Sequence, residues 1–174
     1  MKPDTATIVP FRHVNHVIPG KTTKTEVLER FGSPEDLETK MDETLDDILS
    51  EGSRIRDLLY DKVVARHPEL KQPAEPKSYE LLHYKSAGLH FLVGQPSAKV
   101  ATAYVEPPFS GKSPNGLFLG MPTAEAVTII NRDYHVDADV SIHNVMLSIA
   151  ETPSGENRFS VWFEDGMLSR MRID

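Results

Sequence analysis

The chain of 174 residues is long enough for one ordinary domain or two small ones, and 39% hydrophobic with 26% charged residues suits a globular protein with a real core. A formal charge of -7 argues against a nucleic-acid binder, which is usually basic. The absence of cysteine excludes disulfides, thiolate metal sites and cysteine nucleophiles, and no apolar run approaches the roughly 18 residues of a membrane helix.

Residues 1–16 read as an N-terminal arm in which Thr7 to Val9 can form a short edge strand. The arm lacks the apolar core of a signal peptide. The expectation is therefore a cytoplasmic protein, or a periplasmic or outer-membrane-anchored one whose leader was removed ahead of Met1. His13 and His16 would share a helix face, but two imidazoles without a carboxylate make a poor metal site, so surface or capping roles are expected.

Residues 17–106 read as a first helix-plus-sheet unit. Pro19-Gly20 is a turn, Thr22 or Thr23 can cap a helix, and Glu26 stands at capping-box spacing from Thr23. Val27, Leu28 and Phe31 form its apolar stripe; Gly32 and Pro34 stop it. Residues 36–67 read as a helical insertion, from the helical spacing of Leu45, Ile48, Leu49, Ile55, Leu58, Leu59 and Val63. Its acidic start at Asp42, Glu43, Asp46 and Asp47 is either a solvated helix terminus or a site for a cation or basic partner. Residues 68–77 are a proline-rich linker. Tyr79–Lys85, Leu89–Val93 and Lys99–Glu106 then predict an antiparallel meander.

Residues 107–116 form a loop. Its Gly111-Lys112-Ser113 lacks the first glycine and following helix of a phosphate-binding loop, so that reading is rejected. Residues 117–174 read as a second helix-plus-sheet unit, with Gly120, Thr123 and Val127 matching Gly20, Thr23 and Val27. Strands are predicted at Tyr134–Val140, Asn144–Glu151, Asn157–Glu164 and Met167–Ile173. If Asp133 is extended with them, Asp133, His135, Asp137 and Asp139 line one strand face as possible metal ligands; an ordinary half-buried strand is the alternative. The fold expected is α+β, two sequential helix-plus-antiparallel-sheet units.

The last two strands predict a hairpin whose turn length sets the faces. A two-residue turn at Asp165-Gly166 would put Arg170 and Arg172 opposite Val161 and Phe159. A three-residue turn, Glu164 to Gly166, pairs Phe163 with Met167, Val161 with Ser169 and Phe159 with Met171. The second is expected, and it collects Ser160, Trp162, Leu168 and Arg170 on one face as a candidate binding surface.

Gly20, Thr22 or Thr23, Glu26, Val27, Gly32 and Pro34, with Val161, Phe163, Asp165 and Gly166 at the close, resemble the opening and closing motifs of the SmpA/OmlA type of small bacterial envelope lipoprotein. The doubling of the unit resembles the tandem architecture of the beta-lactamase-inhibitor proteins. The lipobox cysteine of the first and the disulfides of the second are missing. The resemblance implies a non-enzymatic envelope protein that binds another protein, with a lipid anchor possible on a precursor. Three functions follow: a protein-binding or scaffold module with no cofactor or metal; a small-ligand carrier; or a metal-dependent hydrolase. The hydrolase would use Asp133, His135, Asp137 and Asp139, or a histidine group drawn from His83, His90 and His143.

Overall fold

In the computed structural model, residues 7–41, 78–134, 136–140, 145–150 and 158–174 are described. They form an α+β structure in which two helices lie on a large antiparallel sheet. A small hairpin, β1 (Ile8–Val9) with β2 (His13–Val14), precedes helix α1 (Lys24–Phe31) and strands β3 (Asp36–Met41), β4 (Ser78–Tyr84), β5 (Leu89–Gly94) and β6 (Lys99–Val105). Helix α2 (Thr123–Asp133) precedes β7 (Val136–Val140), β8 (Val145–Ala150), β9 (Arg158–Glu164) and β10 (Met167–Ile173). The eight strands β3 to β10 form one sheet in the order β3-β4-β5-β6-β10-β9-β8-β7, with every neighbour antiparallel. Each half of the chain is thus a helix followed by a meander, and the two meanders join through their last strands, β6 and β10.

The described part of the arm, residues 7–16, is packed against the rest of the fold. Ile8 and Val14 are fully buried, and Asn15 and His16 turn the chain with positive φ so that Val14 and Val17 exchange backbone hydrogen bonds. His13 and His16 stack at 5.1 Å across this turn, not along a helix.

Helix α1 begins where the sequence says it should. Thr23 caps it, with the Glu26 carboxylate accepting from the Thr23 backbone N–H at 2.8 Å, a full capping box. Gly32, at φ 80, ends it and donates to Leu28 O. Both ends are tied to the sheet: Lys24 Nζ reaches Glu80 at 2.9 Å, and Tyr84 OH donates to Gly32 O at 2.8 Å. Val27 is fully buried between them, with Phe31 tilted against Tyr84 and Phe91.

The two helices enter the sheet by the same device. Gly20 N–H donates to Val100 O, and Val100 N–H returns to Thr22 O; Gly120 N–H donates to Leu168 O, and Leu168 N–H returns to Met121 O. Each glycine has a positive φ, 76 and 84 degrees, which lets the chain swing from this ladder into the helix. The second crossing is one residue shorter, so α1 starts at Lys24 and α2 at Thr123. Buried Val27 therefore corresponds to buried Ala126, not to Val127. Pro122 stands at the N-cap of α2.

Two expectations about the elements need correction. Asp36–Met41 is an edge strand paired with β4, where the helical insertion was expected to begin; cross-strand pairing overrides the run of acidic residues. Residues 42–67 of that insertion and the linker 68–77 lie outside the described residues.

The final hairpin takes the two-residue turn, with Asp165 at φ 50 and Gly166 at φ 76, and pairs Phe163 with Leu168. A bulge between Leu168 and Arg170 then shifts the register, so Arg170 faces Trp162, Met171 faces Val161, Arg172 faces Ser160 and Ile173 faces Phe159. One extra residue, Ser169, thereby removes the arginines from the apolar face that made this turn unattractive; its Oγ donates to Trp162 O at 3.1 Å. Leu168 is consequently in the core at 0% exposure, and not on the Trp162 face.

The core is one cluster. It joins Ile8, Val14, Val17, Val27, Ala126 and Ile130 to one face of the sheet, including Leu82, Phe91, Val105, Phe159, Val161 and Ile173. Residues alternating with these point the other way. No helix among the described residues is long and apolar enough to cross a membrane.

Candidate functional site

The sheet face away from the helices carries a continuous polar row. Register places His83 opposite His90, His90 opposite Tyr104, Tyr104 opposite Arg172 and Arg170 opposite Trp162. Because His83 and His90 flank the short turn Lys85–Ala87 and Gly88 at equal distance, their rings meet edge to face with centroids 4.9 Å apart. Their Nδ1 atoms lie 2.7 Å apart, so one ring donates to the other.

Carboxylates stand at both ends of this pair. His90 Nε2 is 3.0 Å from Glu106 Oε1, and the second oxygen of Glu106 receives Arg170 Nη2 at 3.1 Å. His83 Nε2 is buried without a hydrogen-bond partner, and Glu38 Oε1 lies 3.5 Å from it. Arg170 in turn lies against the Trp162 ring, 5.9 Å from its centroid, and Arg172 lies against Tyr104 at 5.8 Å. Arg172 Nε and Thr102 Oγ1 both donate to Asp174 Oδ1, at 2.7 and 2.8 Å.

Burial dominates the electrostatics here. It lowers the His90 pKa, helped by His83, Arg170 and Lys85 and opposed by Glu106. Burial likewise raises the Tyr104 phenol. Between these groups lies a concavity of about 260 Å³ lined by Leu81, His83, His90, Tyr104, Glu106 and Arg170.

Of the predicted binding residues, Ser160, Trp162 and Arg170 do share this face; Leu168 does not. Trp162 is half-buried, Arg170 has a side chain 46% exposed, and Ser160 is buried, opposite Arg172 on β10 and Ser148 on β8. The predicted ligand strand is not formed as expected. Asp133 closes α2, held by Arg132 at 2.7 Å and by Asn115. It is therefore helical and not extended with Asp137 and Asp139, whose backbones lie in β7. His135 and His143 lie outside the described residues. No group of three or more His, Asp or Glu suited to a metal ion occurs among the described residues.

Glu106 and Arg172 were not singled out from the sequence. Arg172 was visible as the partner of Arg170 in an alternating strand. Glu106 follows a strand end, where nothing in its local pattern distinguishes it. No protein-family model, curated protein or solved structure matches the chain.

Proposed function

We propose that this chain is a non-enzymatic protein-binding module of the bacterial cell envelope, built as a tandem repeat, and that it binds its partner through the sheet face centred on Trp162 and Arg170. The observation that carries this reading is the half-exposed Trp162 with Arg170 stacked on it, beside Tyr104 and Arg172, on the face opposite both helices. Tryptophan, tyrosine and arginine dominate binding hot spots because each combines a large apolar area with a directed polar group. Arginines already held by Glu106 and Asp174 lose little side-chain freedom on docking. The repeat is supported by the duplicated Gly20 and Gly120 crossings and by the helix-then-meander order of both halves. The envelope assignment rests on the SmpA/OmlA resemblance, whose motif residues here serve capping and docking.

The test is photo-crosslinking in cells from position 162, with exposed Glu29 on α1 as the control position. A discrete adduct from 162 alone, lost on Arg170→Ala, supports the reading. No adduct, or the same adduct from both positions, refutes it, and so does a Trp162→Ala chain that fails to fold.

A second reading has its own observation. A cleft of about 410 Å³ beside the N-terminal hairpin is lined by Phe11, Arg12, His13, Ile18 and Lys21 among others. Its size suits a small ligand carrying an apolar part and an anionic group. Stabilisation in a thermal-shift screen that is lost on Lys21→Ala would favour it.

A further inference from the structure

Two turns of the chain build most of the cleft of about 410 Å³ beside the N-terminal hairpin. The first is the hairpin turn Val9–Arg12, closed by Arg12 N–H on Val9 O at 3.0 Å. Pro10 followed by a positive φ makes it a type II turn, whose third position ordinarily takes glycine; here Phe11 stands there at φ 62. A bulky residue in the left-handed region is strained, and packing holds it: the Phe11 ring meets Tyr134 and Phe159 with centroids 5.5 and 6.0 Å away. The residue is still only half-buried, and it forms a wall of the cleft. The second turn, Ile18–Lys21, is fixed by Lys21 N–H on Ile18 O at 3.1 Å and by Thr22 Oγ1, which accepts from Ile18 N–H at 2.9 Å. Gly20 N–H ties this turn to Val100 O of the sheet. It sets Ile18 and Lys21 together on the cleft.

The walls divide chemically. Val9, Phe11, Ile18 and Pro19 are the apolar part, and Ile18 is one of three large hydrophobic residues exposed among the described residues. Lys21 is exposed, and its ammonium has no hydrogen-bond or ion-pair partner among the described residues. Arg12 adds a second positive charge to the wall. Asp174, its acidic residue, already accepts from Arg172 Nε and Thr102 Oγ1 on one carboxylate oxygen. We propose that this cleft binds a small monocarboxylic acid, with its carboxylate on Lys21 and its alkyl chain laid against Ile18, Pro19 and Phe11. One uncommitted ammonium suits one negative charge, whereas a dianion would set its second charge against Asp174. The alkyl chain covers the exposed side of Ile18 and the uncovered part of Phe11, area otherwise left in water. Both turns are held by backbone hydrogen bonds before a ligand arrives, so binding orders little. This inference rests on the reading of the cleft as a small-ligand site, and it names the class of ligand.

The probe is octanoate, titrated into the full chain and followed by backbone amide shifts in proton–nitrogen correlation spectra. The expected result is a saturable shift at Phe11, Arg12, Ile18 and Lys21 in the low-millimolar range or tighter. Acetate has the charge without the chain, and octyltrimethylammonium has the chain with the opposite charge; each should bind at least about tenfold more weakly. Lys21→Gln keeps the stem but loses the charge, so it should weaken octanoate about threefold to fivefold and leave octanol unchanged. Ile18→Ser should weaken octanoate and octanol alike. Both positions are exposed, so the variants keep the fold, which far-UV circular dichroism checks. Octanol or octyltrimethylammonium binding at the cleft as tightly as octanoate would overturn the acid while leaving a small-ligand site in place. No saturable shift of these residues by any of the three eight-carbon probes would overturn both. Octanoate binding indifferent to Lys21→Gln, or shifts confined to other residues, would also overturn the proposal.

Discussion

Gly88→Ala is the substitution whose cost the structure specifies most closely. Gly88 sits at φ 63 in the turn between β4 and β5, and its carbonyl accepts Glu106 N–H at 3.0 Å. A Cβ there would lie 2.0 Å from Glu106 O, 2.5 Å from Phe109 N and 3.0 Å from Phe109 Cβ. The first two are backbone atoms, so relief requires the segment after β6 to move on the order of 1 Å in a packed region. The left-handed backbone costs a non-glycine residue about 1–2 kcal/mol. The overlap adds about 1–3 kcal/mol, as overpacking generally does. Gly120→Ala provides the reference, because its φ is 84 but nothing lies within 4 Å of its Cβ. Urea unfolding of both variants at constant m isolates the overlap as the difference, expected at about 1–3 kcal/mol. Gly88→Ala should also alter Trp162 emission in the folded state, since Glu106 carries the contact to Arg170. A Gly88→Ala variant no less stable than Gly120→Ala would refute the reasoning.

Val27→Ala should cost about 1–3 kcal/mol by urea unfolding, because two methyl groups leave a fully buried site; a change of a few tenths would mean α1 is not docked as described. The Glu26 pKa is lowered by hydrogen bonds from the Thr23 backbone and then its side chain, so the folded state holds fewer protons than the unfolded one in acid. The capping contribution is therefore present above the unfolded carboxylate pKa and fades as pH falls through the depressed folded value. Glu26→Gln should flatten that part of the urea midpoint's pH dependence, and an unchanged profile would count against it. Dialysed protein should retain no zinc, calcium or manganese by elemental analysis; stoichiometric metal lost on Asp137→Ala with Asp139→Ala would bring back the hydrolase reading.

What could be read in advance was whatever local chemistry decides. The Thr23–Glu26 box, the Gly32 stop and the β4-β5-β6 meander each follow from a few adjacent residues. The register of the last hairpin did not, because a bulge at Ser169 changes the pairing without leaving a residue signature. Leu168 was misplaced because the two-residue turn itself pairs it with Phe163; the bulge that lets this turn keep the arginines off the apolar face lies beyond it. Strand β3 was hidden by its charges, although Leu37, Thr39 and Met41 alternate as a strand should. The histidine pair was missed by one residue: counting outward from a Ser86–Gly88 turn puts Tyr84 opposite His90, and it is the longer turn Lys85–Gly88 that brings His83 there. Its link to Glu106 and Arg170 needed the order of β6 and β10, which is set by contacts far apart in sequence.

The position of β10 bears on how the molecule can be made. It is the last of the eight strands to leave the ribosome, yet it lies in the middle of the sheet, pairing β6 on one side and β9 on the other. Until it arrives, β6 has an unpaired edge, and nothing else among the described strands joins the two meanders. The first half must therefore wait, with an edge open to strand pairing, while the second is synthesised. Loss of β10 would not trim the sheet at its margin but divide it at its centre.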